Sequence, residues 1–182
     1  INNLFGLPAH PLLVHAPIVL VPLCLVGAVL MAVKPEWRRR FGVPTAVLAL
    51  GSAVALQLAF GSGEQLEERV RESSLVRQHS QFAEMARPFV FLFALALTAV
   101  VVWDIVQARR STTTPADAAP DQKMARLASI AMVVTVLLGG VATYEVVQTG
   151  HSGAKATWHD TPPPRERGGE GGEGGEGGEG RG

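Results

Sequence analysis

Five histidines hold the chemical interest of this sequence: His10, His15, His79, His151 and His159. Two of them open an apolar run, HPLLVHAPIVLVPL, at residues 10–23. An imidazole in hydrocarbon is costly unless something pairs with it. A run that had only to fill a membrane would do better with leucine at both places. What the imidazole offers is a nitrogen lone pair, suited to haem iron as an axial ligand or to a Cu, Zn or Fe ion. Five residues of α-helix turn through about 500° and rise about 7.5 Å. His10 and His15 therefore do not grip one ion from one regular helix. Pro11 fits a first helical turn, where its missing N–H costs nothing. That leaves His10 just ahead of the helix, so the two histidines serve one site at different depths, or two sites.

The elements that must position them are membrane helices. Apolar residues make up 47% of the chain despite a C-terminal stretch that is almost all Gly and Glu, so the body is far more apolar than the average. Four long runs carry this excess: Pro11–Val33, Val43–Phe60, Phe89–Gln107 and Leu127–Val147. Their ionisable residues are few: His15, Asp104 and Glu145. A bilayer core of about 30 Å needs about 20 helical residues, and each run is near that length. The first run differs from a secretory signal in its uncharged start and its length. The expected fold is all-α: an integral membrane four-helix bundle over residues 1–160, with helices at about 11–33, 43–60, 76–107 and 127–149. Residues 161–182, rich in Gly and Glu, form a disordered acidic tail in this reading.

Charge sets the expected orientation. Lys34, Arg38, Arg39 and Arg40 follow the first run, and Arg109, Arg110, Lys123 and Arg126 separate the third from the fourth. Residues 61–87, between the second and third runs, balance Glu against Arg. Basic loops stay in the cytoplasm, so both termini and the 61–87 connection face outward. All five histidines then lie on the outer side. The formal net charge of zero gives no basis for nucleic-acid binding. Cys24 is single, which leaves no disulfide frame and no paired-thiolate site, and suits a small core residue.

The outer connection, EQLEERVRESSLVRQHSQFAEMARP, has no Gly and no internal Pro and is rich in good helix formers. It predicts helix running into the third span through Pro88, with His79 about 12 Å beyond Arg87 if that helix is straight. Gly150 reads as the glycine stop of the fourth helix, which would hold His151 at the rim. Glu145, Gln57 and Arg87 gather at the same outer level. Arg87 is the expected counter-ion of Glu145, and Arg109 or Arg110 that of Asp104. Gly27, Gly51, Ser52, Ala53, Gly139 and Gly140 suit close helix contact.

The chain resembles a family of bacterial membrane proteins known as domain of unknown function 2231. The resemblance rests on GLPAHPLLVHAPIVL (6–20), with its HPxxVHxP pattern, on VRQHSQFA around His79, and on TGHSGAKATWH from Thr149 to His159. It covers roughly residues 6–160 and implies a four-helix membrane domain in the bacterial cell membrane. Relatives joined to Rieske-type or cytochrome c domains imply electron transfer at the outer face, here through a separate redox partner. The positions it carries over are His10, His15, His79, His151 and His159.

Three functions compete. In the first, histidines from different segments hold haem b, with Arg77 or Arg87 meeting propionates, and the protein relays electrons between quinol and an outer redox partner. Glu145 would serve as a proton outlet. In the second, His10, His15, His79 and His151 converge on one Cu, Zn or Fe ion. In the third, the protein is a cofactor-free accessory or anchor subunit of a respiratory complex. A transporter is the weakest reading, since four helices give a small pathway and no inverted repeat is visible.

Overall fold

The computed structural model describes residues 3–4, 7–67, 73–111 and 122–158. His159 and the acidic tail at 161–182 lie outside the described residues. After an antiparallel pair of two-residue strands, β1 (Asn3–Leu4) and β2 (Leu7–Pro8), the structure is helical: α1 (Ala9–Leu13), α2 (His15–Val33), a 3₁₀ turn at Pro35–Trp37, α3 (Arg38–Glu67), α4 (Ser74–Ser111) and α5 (Gln122–Trp158). Four stretches are long and apolar enough to cross a membrane: His10–Val33, Pro35–Glu67, Ser74–Arg110 and Gln122–Trp158.

The helix breaks follow from proline chemistry. Pro17 has no N–H to give the Leu13 carbonyl, and its ring crowds that group; α1 ends at Leu13. The axis nevertheless carries on, since Val14 keeps helical dihedrals and its N–H reaches the His10 carbonyl at 3.1 Å. At the other end of α2, Pro35 stands at the first position of the 3₁₀ turn. The Arg38 Nε donates to the Met31 carbonyl at 3.1 Å, covering an orphan group of the α2 terminus. Arg38 also pairs with Asp104 of α4 at 3.8 Å. The partner expected from sequence was Arg109 or Arg110; Arg38 reaches Asp104 because α3 starts beside the end of α4.

The helices pack in a ring, α2 against α3, α3 against α4, α4 against α5 and α5 against α2. Their shared core includes Val21, Cys24, Ala28, Ala53, Phe93, Leu97 and Ala142. Outside it, Val19, Val47, Leu95 and Leu137 are 59–65% exposed, so the outer surface is as apolar as the interior. A helix that is apolar all round belongs in lipid.

The helices outrun the apolar blocks. The second spans Arg38–Glu67 rather than 43–60, and the fourth spans Gln122–Trp158 rather than 127–149. Gly150 is not a stop. It sits inside α5 where a Cβ would meet Ile18 Cδ1 at 3.3 Å, so its small size serves helix packing rather than termination.

One glycine is required by contact. A Cβ at Gly139 would lie 2.7 Å from Cε2 of Phe93, whose side chain is 1% exposed, whereas at neighbouring Gly140 nothing lies within 4 Å. Gly139→Ala is expected to destabilise the protein by ~1–3 kcal/mol through overpacking, and Gly140→Ala to leave stability unchanged or raise it. Thermal unfolding of the two variants in one detergent makes the comparison.

Candidate functional site

Two histidines come together at the mouth of the bundle. His10, on α1, and His79, in the second turn of α4, have ring centroids 6.2 Å apart with planes at 80°. Both rings are half-buried. The His10 Nδ1 donates to the Ala59 carbonyl of α3 at 2.8 Å. The His79 Nδ1 donates to the Thr149 carbonyl of α5 at 3.0 Å, with Ser152 Oγ also at 3.2 Å.

A carbonyl only accepts, so the ring proton sits on Nδ1 in both cases and Nε2 of the neutral ring keeps its lone pair. This is the arrangement that orients ligating histidines: one nitrogen donates to a backbone carbonyl and the other is presented to the metal.

His15 and His151 do not join the pair in the same way. His15 is exposed, and its Nδ1 bonds the Pro11 carbonyl one turn back. His151 is exposed on α5. Among the described residues no group of three or more His, Cys, Asp or Glu side chains is placed to hold a metal ion. Arg87 is exposed, with its guanidinium 4.8 Å above the Phe60 ring rather than in the expected ion pair with Glu145. Glu145 is 8% exposed within α5. Ser80 Oγ donates to Glu67 at 2.8 Å, tying the C-terminal end of α3 to the start of α4 beside the site.

The sequence reading missed four residues. Ser62 and Ser152 each donate through Oγ, at 2.9 Å, to the same carbonyl that holds the neighbouring imidazole. Gly63 and Gly153 stand where an added Cβ would come within 2.9 Å of Cε1 of His10 and of His79. The signal that could have found them is a Ser-Gly dipeptide near the ends of α3 and α5, in FGSGE (60–64) and GHSGA (150–154).

The family described as "Predicted membrane protein (DUF2231)" matches residues 6–161. The chain belongs to this family. No curated protein and no solved structure matches it. The matched DUF2231 segment contains all four helices and both members of the histidine pair. The multi-pass membrane character read from composition is thus shared by the family description and the four spans.

Because His10 and His79 each bond a helix other than their own, each ties together its own helical hairpin of the DUF2231 bundle, α1 to α3 and α4 to α5. His10→Ala and His79→Ala should each cost ~1–2 kcal/mol of stability. His15→Ala and His151→Ala, at exposed positions, should change stability by no more than ~0.5 kcal/mol. Unfolding curves of the four variants in one detergent check the ranking.

Proposed function

We propose that His10 and His79 are the axial ligands of a b-type haem, and that the protein passes electrons between quinol in the membrane and a redox partner at the outer face. The observation that carries this reading is the facing pair, with both Nδ1–H groups engaged and both Nε2 lone pairs left over. An ion held at about 2 Å by each of two opposed imidazoles puts the ring centres about 6 Å apart. The observed 6.2 Å is also within the range of an ordinary edge-to-face ring contact, which is why a spectrum is the deciding measurement.

The donor count favours haem over a bare ion. A Zn or Cu site takes three or four protein ligands, and among the described residues two imidazoles meet here. Haem brings four nitrogens of its own and asks the protein for two axial groups. When bound, it supplies a one-electron carrier. The chain's residues do the rest. His10 is bonded to α3 and His79 to α5, each within its own helical hairpin. The hairpins can therefore part to admit a planar group without breaking either bond. Arg87 and Arg77, both exposed on α4, are the cations offered to carboxylates at this level. Glu145, buried about one turn below Thr149, is the carboxyl group that would stand on the exit path of the two protons released when quinol gives up its two electrons.

The outward orientation of the site follows from the basic loops at the opposite end, Lys34–Arg40 and Arg109–Arg126. In a Cys24→Ser background, cysteine at Glu64 should react with a membrane-impermeant maleimide in intact cells and cysteine at Arg39 should not. The reverse labelling would overturn the orientation.

The cofactor is tested by purifying the protein in mild detergent after expression with haem supply. A sharp reduced α-band of a six-coordinate b haem is expected, lost in His10→Ala and His79→Ala and kept in His15→Ala and His151→Ala. A colourless protein with stoichiometric Cu or Zn would replace haem by a bare-metal site. A protein with neither would leave the accessory-subunit reading in place.

A further inference from the structure

The bundle is two copies of one helical hairpin, and the site lies where they face each other. Position by position, α1–α2 and α4 bury the same register at a constant separation of 69 residues: His10 and His79 half-buried, then Pro17 with Ala86, Val21 with Val90, Ala28 with Leu97. Between α3 and α5 the separation is 90: Thr45 with Thr135, Leu56 with Val146, Ser62 with Ser152. The polar contacts repeat as well. Thr45 Oγ1 donates one turn back to Phe41 at 2.7 Å, and Thr135 Oγ1 to Ala131 at 2.8 Å. Both hairpins have the site at the same end, so the repeat is parallel rather than inverted. Little sequence identity survives between them, which is why the repeat is not visible in the chain.

The closest repetition is at the imidazoles. In the first hairpin the Ala59 carbonyl accepts from His10 Nδ1 at 2.8 Å and from Ser62 Oγ at 2.9 Å. In the second the Thr149 carbonyl accepts from His79 Nδ1 at 3.0 Å and from Ser152 Oγ at 2.9 Å. A Cβ on Gly63 would lie 2.9 Å from His10 Cε1 and 3.0 Å from its Nδ1; on Gly153, 2.9 Å from His79 Cε1 and 3.2 Å from its Nδ1. Each ring thus lies in a notch that only glycine leaves open, with its Nδ1 against a carbonyl that a serine also engages.

We infer that Ser62–Gly63 and Ser152–Gly153 are paired positioning seats, each of which selects the Nδ1–H tautomer of one imidazole and so presents its Nε2 as the ligating nitrogen. What Nε2 then binds rests on the haem reading; the seat itself does not. The cause is local. The carbonyl has no proton to give, so the ring must place its own on Nδ1. The glycine sets how near the ring comes, and a methyl at that point pushes it off the acceptor.

The test is the side-chain ¹⁵N spectrum of the histidines in the full chain, in detergent micelles without added haem, at a pH where the rings are neutral. His10 and His79 should both show an unprotonated Nε2. Gly63→Ala should move the unprotonated signal of His10 to Nδ1 and leave His79 as it was, and Gly153→Ala should do the converse. Gly61→Ala, where nothing lies within 4 Å of the added Cβ, is the control and should change neither. Ser152→Ala, which removes an oxygen 3.2 Å from His79 Nδ1, should weaken the preference of His79, while Ser62→Ala, which removes only a second donor to the Ala59 carbonyl, should leave that of His10 in place. An Nε2–H tautomer in the unmodified protein, or tautomers unmoved by the glycine changes in variants whose amide spectra remain native, would overturn the seats. The expected tautomers in a protein that takes up no haem would uphold the seats and sink the haem reading alone. A haem spectrum with unmoved tautomers would do the opposite.

Discussion

In a bilayer no water is at hand to satisfy a polar group, so each one must find its partner inside the protein. That constraint governs every element described above. It makes the spans helical, and it turns their few hydroxyls back on the helix: Thr45, Thr98, Thr135 and Thr149 each donate to the carbonyl one turn before. It brings Arg38 to both the Met31 carbonyl and Asp104. It also makes the two imidazoles conspicuous. Each has its Nδ1 satisfied by a carbonyl of another helix.

The hairpin repeat gives that pair its setting. One hairpin contributes a histidine at the start of its first helix and a Ser-Gly notch near the end of its second, both at the same mouth of the bundle. Two such hairpins packed side by side bring two imidazoles edge to face, without any residue having to be special to one half. The same packing accounts for the outsiders. His15 is five residues past His10, which turns it to the exposed side, and His151 precedes Ser152 on a face turned away from the notch. A histidine count at one end of a bundle therefore overstates how many imidazoles meet; the faces decide it.

The Arg87 result has the same origin. On the sequence, an arginine and a glutamate at one membrane depth look like partners. In the bundle Glu145 turns into the packed interior, while Arg87 stays exposed above Phe60, where the ring's negative face and the outer solvent both favour the cation. Depth is readable from the chain; azimuth around the helix is read poorly when the helix is apolar on all sides.

The sequence by itself determined the four spans, the helical approach to the third span from Ser74 through Pro88, and the close-contact role of Gly27 and Gly139; Gly51 and Gly140, read the same way, have nothing within 4 Å of an added Cβ. The spans follow from length, hydropathy and charge, quantities that add along the chain. Its helix ends were misread at Gly150 because a glycine kept for close packing against Ile18 looks the same as one kept for a stop. Only the tertiary structure decided which histidines meet, which carbonyls hold them and that Asp104 answers Arg38. Those are relations between residues 49 to 73 positions apart, and they depend on how helices rotate against each other. An apolar helix in an apolar solvent carries no amphipathic stripe to announce that rotation.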